Sequence, residues 1–453
     1  MATERKIVFW TVLSAMHWMN SCRSQTLSSD SDTCTEQDEI KTLKDQTAFL
    51  QQLVSNQAIE TKVLKKELES VKEALSTLMP DHVAFHVVAK SSSGPGVIIF
   101  DHVISNIGSG YDITSGTFSV PTTGFYVFSW SIETYGQLTE AALLVNGLEM
   151  GISKSDEAPS YYDTTTSFAV LDLKIKDKVW VRVKSGQAEA MHTMFSGWKI
   201  NKSGSTAFYA SLSRDVTGSP ITFNNEIIDT ADAYSTTTGK FVAPLSGLYV
   251  FMMSGLRYGD KISNFRFSFS NGISQPQVLA YSSSVRYDSS GTMTFAWMNS
   301  GDYVEVDGLR MRATSMFAGW LLVNDNVSKS TFPAFLAHAR LGSDSTPVVY
   351  DKAHGGYHHG YSTNTGVFTA DRDGLYLFLC NTETFTRATV TALRVNEVEI
   401  FETRSDARHV NFDSTSAVTV LHLSSNDRVS IGVKSGRVDE KQSLFFGILL
   451  HEM

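Results

Sequence analysis

The sequence predicts an all-β protein in which three copies of one β-sandwich domain follow an N-terminal α-helical coiled coil. Three observations carry this prediction. A ladder of aromatic and glycine residues occurs three times, at steps of 123 and 127 residues. Each copy contains short strand-like segments separated by turn residues, and a heptad pattern free of glycine and proline precedes the first copy. A period of about 125 residues is the size of a complete globular domain, so the copies are tandem domains and not solenoid repeats.

The ladder keeps nearly the same internal spacing in all three copies. Its members are Phe100, Tyr111, Phe118, Gly124, Tyr126 and Phe128; Phe223, Tyr234, Phe241, Gly247, Tyr249 and Phe251; and Tyr350, Tyr361, Phe368, Gly374, Tyr376 and Phe378. A constant offset over so many positions does not arise from composition alone.

The composition excludes several classes of protein. The 453 residues include 38 basic and 47 acidic side chains, which gives a formal net charge of −9. A mildly acidic chain without a run of lysine or arginine argues against nucleic acid and anionic membrane as partners. No Gly-X-Y run is present, which excludes a collagen region, and no segment is apolar enough for a membrane span.

The start of the chain has the pattern of a secretory signal peptide, predicted to comprise residues 1–24. Arg5 and Lys6 precede the apolar stretch Ile7–Met19, which is too short to cross a bilayer. The small residue Ser24 suits cleavage before Gln25. A cytosolic N terminus is the alternative; the pattern favours a secreted, extracellular protein.

Residues 36–79 are predicted to form a coiled coil. Its seam positions alternate by three and four residues. They are Ile40, Leu43, Thr47, Leu50, Val54, Gln57, Thr61, Leu64, Leu68, Val71, Leu75 and Leu78. Glu60 with Lys65, and Glu67 with Lys72, have the spacing of ion pairs between parallel neighbours. A single amphipathic helix packed on the domains is the alternative; the pattern favours a homo-oligomer, whose strand number the polar seam residues leave open.

Four single residues carry further predictions. Cys34 lies just before the helix, where an unpaired cysteine of a secreted chain predicts an interchain disulfide. Cys380 ends the apolar run Leu375–Leu379 and is predicted to be a buried thiol. The sequons Asn201-Lys-Ser and Asn326-Val-Ser follow the first and second copies and predict N-glycosylation of exposed linkers.

Within each copy the pattern is typical of β-strands. Thr117–Val120 and Phe125–Trp130 flank a Pro-Thr-Thr-Gly turn, and the same unit recurs at Lys240–Met253 and Val367–Cys380. A second hairpin turns at Asn146-Gly147, a pair that accepts positive φ at both positions. Its equivalents are Asn271-Gly272 and the weaker Asn396-Glu397. Many short strands with frequent turns predict a β-sandwich.

At matching spacings the ladder, together with Asn106, resembles the signature of the complement C1q globular-head domain. The second copy has Asp229 in the place of Asn106, and the third departs with Gly356. All three also depart at the closing aromatic of the signature, where Trp130 is near and Met253 and Cys380 are not. The resemblance covers residues 82–200, 206–323 and 333–453.

This resemblance implies a ten-stranded jelly roll related to the tumour necrosis factor fold, assembling as trimers about a three-fold axis. It also implies a binding module and not an enzyme, with the ladder aromatics in the core and at trimer contacts. A multi-domain chain with a coiled coil in place of collagen is similar to secreted, often lectin-like, recognition proteins of innate immunity.

The resemblance makes calcium a candidate ligand, although no cofactor is required. Aspartates recur at equal steps of 125 residues at Asp163, Asp288 and Asp413. In calcium-binding heads of this family an aspartate occupies this place near the trimer axis. The family's companion aspartate is replaced by Ser155, Ala280 and Ser405, although Asp156 and Asp406 lie next to two of these positions. The alternative is a turn-forming aspartate without metal.

Other motifs do not indicate chemistry. His354, His358 and His359 stand among glycines, which favours an exposed flexible loop over a metal site. No Gly-x-Ser-x-Gly, Walker or His-Glu-x-x-His motif occurs, so the sequence predicts no enzyme. Polar loops recur at Ser153–Thr166, Ser282–Gly291 and Thr403–Thr415 with different charged residues, a pattern typical of recognition loops and equally of neutral drift.

The favoured hypothesis is a secreted, oligomeric pattern-recognition protein that binds glycans or repeated microbial surface ligands. The alternative is an endogenous cytokine-like or adhesive ligand for a host receptor. Two assemblies are open. Either the three domains of one chain form a pseudo-trimer, which the short linkers favour, or three chains trimerise and stack each domain with its equivalents.

Overall fold

The structure is a computed structural model. It describes residues 36–78, 82–156, 160–200, 206–258, 262–272, 277–281, 287–408, 412–440 and 442–453. The chain divides into two compact units, Met1–Ala74 and Leu75–Met453. The predicted signal peptide, Cys34 and Asn201 lie outside the described residues.

One long helix precedes the sandwiches. Helix α1 comprises Glu36–Leu78, 43 residues, and agrees with the predicted coiled-coil segment. At 1.5 Å per residue it is about 65 Å long. Within the helix, the seam residues Thr47 and Thr61 each donate a hydroxyl hydrogen bond of 2.7 Å to the carbonyl four residues earlier, which satisfies these polar groups locally.

Domain 1 is a two-sheet sandwich. Its strands are β1 (Ala84–Val88), β2 (Gly96–Val97), β3 (His102–Ile107), β4 (Tyr111–Asp112), β5 (Thr117–Ser119), β6 (Gly124–Tyr135), β7 (Leu138–Val145), β8 (Leu148–Asp156), β9 (Tyr162–Leu173), β10 (Lys178–Ser185) and β11 (Met194–Ile200). The sheet orders are β3-β1-β11-β6-β9 and β4-β5-β10-β7-β8, with β2 paired to β10.

Domain 2 repeats this arrangement. Its strands are β12 (Ala207–Ser211), β13 (Val216–Thr217), β14 (Asn225–Asp229), β15 (Phe241–Val242), β16 (Gly247–Tyr258), β17 (Ile262–Phe269), β18 (Gln277–Tyr281), β19 (Tyr287–Met298), β20 (Tyr303–Asp307), β21 (Arg310–Met311) and β22 (Met316–Asn324). The main sheets are β14-β12-β22-β16-β19 and β15-β20-β17-β18, and β13 pairs with β21.

Domain 3 has two five-stranded sheets. Its strands are β23 (Ala334–His338), β24 (Lys352–His358), β25 (Tyr361–Ser362), β26 (Val367–Thr369), β27 (Gly374–Phe385), β28 (Ala388–Val395), β29 (Val398–Asp406), β30 (Phe412–Leu423), β31 (Arg428–Ser435) and β32 (Leu444–Glu452). The orders are β24-β23-β32-β27-β30 and β25-β26-β31-β28-β29. The three sandwiches confirm the predicted all-β, jelly-roll fold class after an N-terminal helix.

The ladder side chains form the core of each sandwich. In domain 1 the rings of Phe85 and Phe118 stack with centroids 4.8 Å apart, and Phe195 meets Phe85 edge-on at 4.9 Å. The same triangle occurs in domain 2 and in domain 3, where its members are Phe208, Phe241 and Phe317, and Phe335, Phe368 and Phe445. Aromatic pairs prefer these offset and edge-on arrangements. One ladder ring in each domain, Phe118, Phe241 or Phe368, is thus stacked on a ring outside the ladder.

Six of the seven ladder tyrosines are buried with a hydrogen-bond partner for the hydroxyl; the exception is Tyr350, whose buried hydroxyl has no partner among the described residues. The Tyr111 hydroxyl accepts a hydrogen bond of 3.1 Å from the backbone N–H of Phe100. Tyr126 donates to the carbonyl of Thr122 at 2.6 Å. Both contacts recur in the other domains, from Tyr234 and Tyr361 and from Tyr249 and Tyr376. A buried hydroxyl without a partner would cost about 1–3 kcal/mol, so these positions require tyrosine in a defined register.

Two of the three ladder glycines are required by close packing, whereas a Cβ on Gly124 would meet only the flexible end of the Lys199 side chain. A Cβ built on Gly374 would lie 2.5 Å from the carbonyl oxygen of His451, and one on Gly247 would lie 2.4 Å from that of Val323. These distances are shorter than van der Waals contact, so any side chain here would displace the neighbouring strand.

One local prediction is wrong. The exposed loop expected around His354 is part of strand β24, and His354 is buried at 7% exposure. Its ring lies beside that of His338, with centroids 4.4 Å apart and with Nδ1 of His338 in hydrogen-bond contact with Nε2 of His354. Burial and the neighbouring His354 lower the pKa of His338 to about 4. Strand β24 lies at a sheet edge, where Gly355 and Gly356, which follow His354, are tolerated.

Candidate functional site

The three sandwiches of one chain pack against one another around a common line, which we call the axis. Strands β9, β19 and β30, one from each domain, contact each other pairwise. Their apolar side chains belong to one continuous buried cluster that includes Phe168, Val170, Met293, Phe295, Val418 and Val420. The structure therefore shows the intrachain arrangement, one of the two assemblies that the sequence left open.

A belt of hydroxyl groups also joins the domains at this axis. Its members are Thr166 of β9, Ser416 of β30 and Ser254 of β16. Thr166 donates its hydroxyl to the carbonyl of Ser416 at 2.6 Å, and Ser416 donates to the carbonyl of Gly291 at 2.6 Å. The third position is a glycine, and Ser254 completes the cycle by donating to the carbonyl of Thr166 at 3.1 Å. A Cβ on Gly291 would lie 2.6 Å from that carbonyl oxygen, so the glycine allows the approach of domains 1 and 2.

The predicted calcium residues have partners in their own domains. Asp163 accepts a hydrogen bond from the backbone N–H of Asp156 at 2.9 Å. Asp413 accepts from the N–H of Asp406 at 2.6 Å and from the hydroxyl of Ser405 at 2.9 Å. Burial, with the nearby Asp406 adding to it, raises the pKa of Asp413 to about 6.

The side chain of Asp288 is not among those that the structure describes. Across the described residues, no three histidine, cysteine or acidic side chains form a group able to hold a metal ion. Calcium binding by Asp163, Asp288 and Asp413 stays a prediction.

Asp156 and Asp406, which the sequence offered as substitute calcium ligands, have a different role in the structure. Asp406 accepts a hydrogen bond of 3.3 Å from the backbone N–H of Tyr162 in domain 1. Asp156 accepts one of 3.3 Å from the N–H of Tyr287 in domain 2. Tyr281 stands at the corresponding place in domain 2. The two carboxylates thus join neighbouring domains at two of the three interfaces.

The interface between domains 3 and 1 contains a buried charge cluster. Arg404 places Nη1 3.4 Å from Oε1 of Glu133, an ion-pair distance without hydrogen-bond geometry, and its guanidinium lies 4.0 Å from the ring centroid of Tyr162. Oε2 of Glu133 lies 3.0 Å from Nδ1 of His192. Glu133 is 1% exposed and His192 is 4% exposed, so this cluster is largely removed from water.

The equivalent positions at the interface between domains 1 and 2 carry different chemistry. Lys154 stands on β8 where Arg404 stands on β29, and it lies 5.1 Å from the ring centroid of Tyr287. Leu256 occupies in β16 the place that Glu133 has in β6. Lys154 therefore pairs within its own domain, with Glu140 at 2.9 Å. The domains are not interchangeable, because these two interfaces have different polar contacts.

Beside the aspartates lie three aromatic pairs, which the sequence did not predict. They are Tyr135 with Tyr162, Tyr258 with Tyr287, and Phe385 with Phe412, with ring centroids 4.7, 4.7 and 4.8 Å apart. In each pair the first residue ends one 12-residue strand and the second begins its hydrogen-bonded neighbour. Tyr135, Tyr258 and Phe385 recur at the ladder steps of 123 and 127 residues, and Tyr162, Tyr287 and Phe412 recur at the aspartate step of 125 residues. This recurrence was the signal that could have identified the pairs.

The remaining predicted positions are simple to place. Asn326 is exposed in a turn after β22, which is compatible with glycosylation. Cys380 is a buried free thiol in β27, and burial raises its pKa to about 12. Of the helices in the described part of the chain, none combines the length and the apolar character needed to cross a bilayer.

Three jelly-roll sandwiches thus pack about one axis through their inner sheets. The C1q domain profile matches residues 84–200, 207–322 and 331–450. The chain therefore belongs to the C1q-domain family, with three such domains in tandem.

Individual relatives match over parts of the chain. Complement C1q tumor necrosis factor-related protein 3 of Mus musculus is 35% identical over 101 residues, covering 22% of this chain and 41% of that protein. Multimerin-1 of Homo sapiens is 30% identical over 112 residues, covering 23% of this chain and 9% of that protein. This chain thus matches less than half the length of these curated relatives. Among solved structures, the globular domain of a zebrafish complement 1qA protein is 19% identical with a TM-score of 0.24, over 26% of this chain and 98% of that one.

Proposed function

We propose that this protein is a secreted, multivalent pattern-recognition protein that binds repeated glycans on microbial surfaces through its three-domain body. The observation that carries the proposal is the packing of three non-identical domains of one chain into one body. One chain then presents three different sets of loops and edges around one axis. The polar segments that the sequence predicts as loops, Ser153–Thr166, Ser282–Gly291 and Thr403–Thr415, differ in sequence, and loops on a rigid scaffold commonly carry recognition.

The helix supports a second level of multivalency. Its seam residues Leu43, Leu50, Val54 and Leu64 are 60–66% exposed in the single chain. A second copy of the helix would cover them by knobs-into-holes packing, and the Glu60 and Lys65 spacing favours a parallel partner. Several bodies on one stalk would raise the affinity for a repeated surface by about 10²–10⁴ without any new contact.

Secretion, glycosylation and a role in innate immunity belong to the same proposal. They are supported by the signal-peptide pattern at residues 1–24 and by the exposed sequon at Asn326. No catalytic step is proposed, and binding alone is the expected activity.

The test is a binding panel with the full-length secreted protein on bacteria, yeast and host cells, each with soluble polysaccharide as competitor and with calcium or a chelator. Saturable binding to microbes that polysaccharide competes supports the proposal. Binding confined to host cells would instead establish the alternative, a ligand for a host receptor. Loss of binding on chelation would show that binding requires calcium, and unchanged binding would contradict a calcium-dependent site.

A matched pair of helix variants tests the multivalent part. Leu50→Asp places a charge on the seam, whereas Ile59→Asp changes an equally exposed residue off the seam; both side chains are 60% exposed. We expect the first variant to lose its oligomeric mass and at least 100-fold in apparent affinity, and the second to keep both. Equal behaviour of the two variants would contradict self-association through the seam.

A further inference from the structure

We infer that the three aromatic pairs bind uncharged pyranose units of a polysaccharide, one unit against each pair. This inference rests on the proposed function and names its ligand class and its contact residues. The outer rings of the pairs are Tyr135, Tyr258 and Phe385, which are 42%, 38% and 40% exposed. The aromatic residues of the ladder are buried in all three domains, so the exposure of these outer rings is not shared by the ladder aromatics.

The rings are held on strands and not on loops. Tyr135 is the last residue of β6 and is paired in register with Tyr162 of β9. The same pairing holds Tyr258 against Tyr287 and Phe385 against Phe412. Each outer ring rests against its partner at an interplanar angle of 42–47°. A ring fixed in this way loses little conformational freedom when a ligand stacks on it, which favours binding.

The chemistry of the rings fits a sugar. The face of an aromatic ring carries partial negative charge. The axial C–H groups of a pyranose form a flat apolar face of similar size with partial positive charge. Stacking of the two removes apolar surface from water, while the sugar hydroxyls at the rim of the ring stay available for hydrogen bonds. An aromatic residue of roughly 200 Å² that is about 40% exposed has about 80 Å² accessible for this contact.

Charged groups beside the rings indicate an uncharged ligand. Arg404, Lys154 and Arg312 lie 4.0, 5.1 and 5.2 Å from the ring centroids of tyrosines in the first two pairs. Each of these cations already has a carboxylate partner, namely Glu133, Glu140 and Asp215. Among the described residues these three charges are therefore compensated, which favours a neutral ligand over a sulfated or phosphorylated one.

The three pairs are similar but not identical. Two are tyrosine pairs, whose hydroxyl groups can donate to and accept from sugar hydroxyls. The third consists of Phe385 and Phe412 and offers stacking alone. All three belong to one body, so a polymer of repeated units can occupy more than one pair at once. Individually weak positions then give useful affinity only for repeated surfaces.

The test compares two triple variants of the full chain on immobilised mannan, laminarin and dextran, with dextran sulfate as the anionic counterpart. The first variant is Tyr135→Ser, Tyr258→Ser and Phe385→Ser, and the second carries tryptophan at the same positions. Loss of about 80 Å² of apolar contact per ring predicts at least tenfold weaker binding of the serine variant to at least one of the neutral polymers. The tryptophan variant keeps the stacking face and should bind at least as tightly as the unmodified chain.

A matched control uses exposed apolar residues at the turn ends of the β7–β8 and β28–β29 hairpins. Leu148 and Val398 are 70% and 64% exposed, and Leu148→Ser with Val398→Ser should leave binding unchanged. If the unmodified chain binds neutral polymers and the aromatic serine variant binds equally well, the inference is wrong and the proposed function stands. If the unmodified chain binds none of the neutral polymers, or binds dextran sulfate more tightly, the inference fails. Absence of all glycan binding would also remove the proposed function.

Discussion

Arg404→Met tests whether a buried charge cluster fixes the contact between domains 3 and 1. The substitution removes the guanidinium that faces Glu133 at 3.4 Å and Tyr162 at 4.0 Å. Glu133 is only 1% exposed, so its carboxylate would lose its neighbouring cation in a place poor in water. Breaking a buried ion pair costs about 3–5 kcal/mol. Because Arg404 is itself 24% exposed, we expect the low end of this range, about 3 kcal/mol.

The chain contains its own control. Lys154 occupies the equivalent place in domain 1, where the facing residue of domain 2 is Leu256 and not an acid. Its partner Glu140 is in its own domain, and both side chains are about one-fifth exposed, at 22% and 21%. Lys154→Met should therefore cost no more than about 1 kcal/mol, as partly exposed pairs do.

The assay is guanidinium unfolding of the full chain followed by tryptophan fluorescence, with the midpoint and slope compared among variants. A third protein combines Glu133→Leu with Arg404→Met. It then has a leucine at the position that Leu256 occupies in domain 2. It should recover part of the lost stability, because no buried carboxylate is left without its cation, while the Nδ1 atom of buried His192 loses its contact with Glu133. Equal costs for Arg404→Met and Lys154→Met, or no recovery in the double variant, would refute the assignment of this cluster as an interdomain lock.

Three further predictions concern single positions. Burial lowers the pKa of His86 to about 3, so the unfolded chain binds a proton that the native chain does not between about pH 6.5 and 3, and stability should fall as the pH falls through this window. His86→Gln should flatten the dependence of melting temperature on pH relative to the unmodified chain, and parallel curves would contradict this. Asn396 and Glu397 both have positive φ, 49° and 69°, so Glu397→Gly should raise the free energy of unfolding by about 1 kcal/mol, and a lower midpoint in guanidinium would contradict the turn argument. Asn326→Gln should lower the mass of the secreted protein by one glycan in a mass spectrum, whereas an unchanged mass would show that this sequon is not used.

The pH dependence expected for His86 arises from its contacts with domain 3. His86 is fully buried, its Nδ1 lies 2.6 Å from the hydroxyl of Ser196, and that hydroxyl donates to the carbonyl of Val418 in domain 3 at 2.8 Å. Since the serine proton is used by the carbonyl, the imidazole must donate from Nδ1. Its ring lies 5.0 Å from that of Phe401, also in domain 3. Protonation would place a charge inside this contact, which is why acid should loosen domains 1 and 3.

The fold was predictable because its signals are local and repeated. The aromatic ladder, the Asn146-Gly147 turn and the heptad seam each follow from contacts within a few residues or between adjacent strands. The same turn geometry at Asn396-Glu397, which the sequence marked as weak, forms with both residues at positive φ. Tertiary pairing of the long hairpins outweighs the modest strain of a glutamate in the left-handed region.

The candidate site was less predictable because its contacts join distant residues. Tyr135 meets Tyr162 only through the register of β6 and β9, and Arg404 meets Glu133 only after two domains have packed. The aspartate repeat was visible, yet its spacing could not show that Asp406 accepts a hydrogen bond from another domain. Residues that act across interfaces leave no local periodic signal.

The most direct test of the whole account is the solution mass of a chain that begins at residue 81 and so lacks the helix. Light scattering coupled to size exclusion should give the mass of one chain over the full range of concentrations, because the inner surfaces of all three domains are already buried against one another. A stable assembly of three chains would contradict the intrachain body on which the proposed function depends.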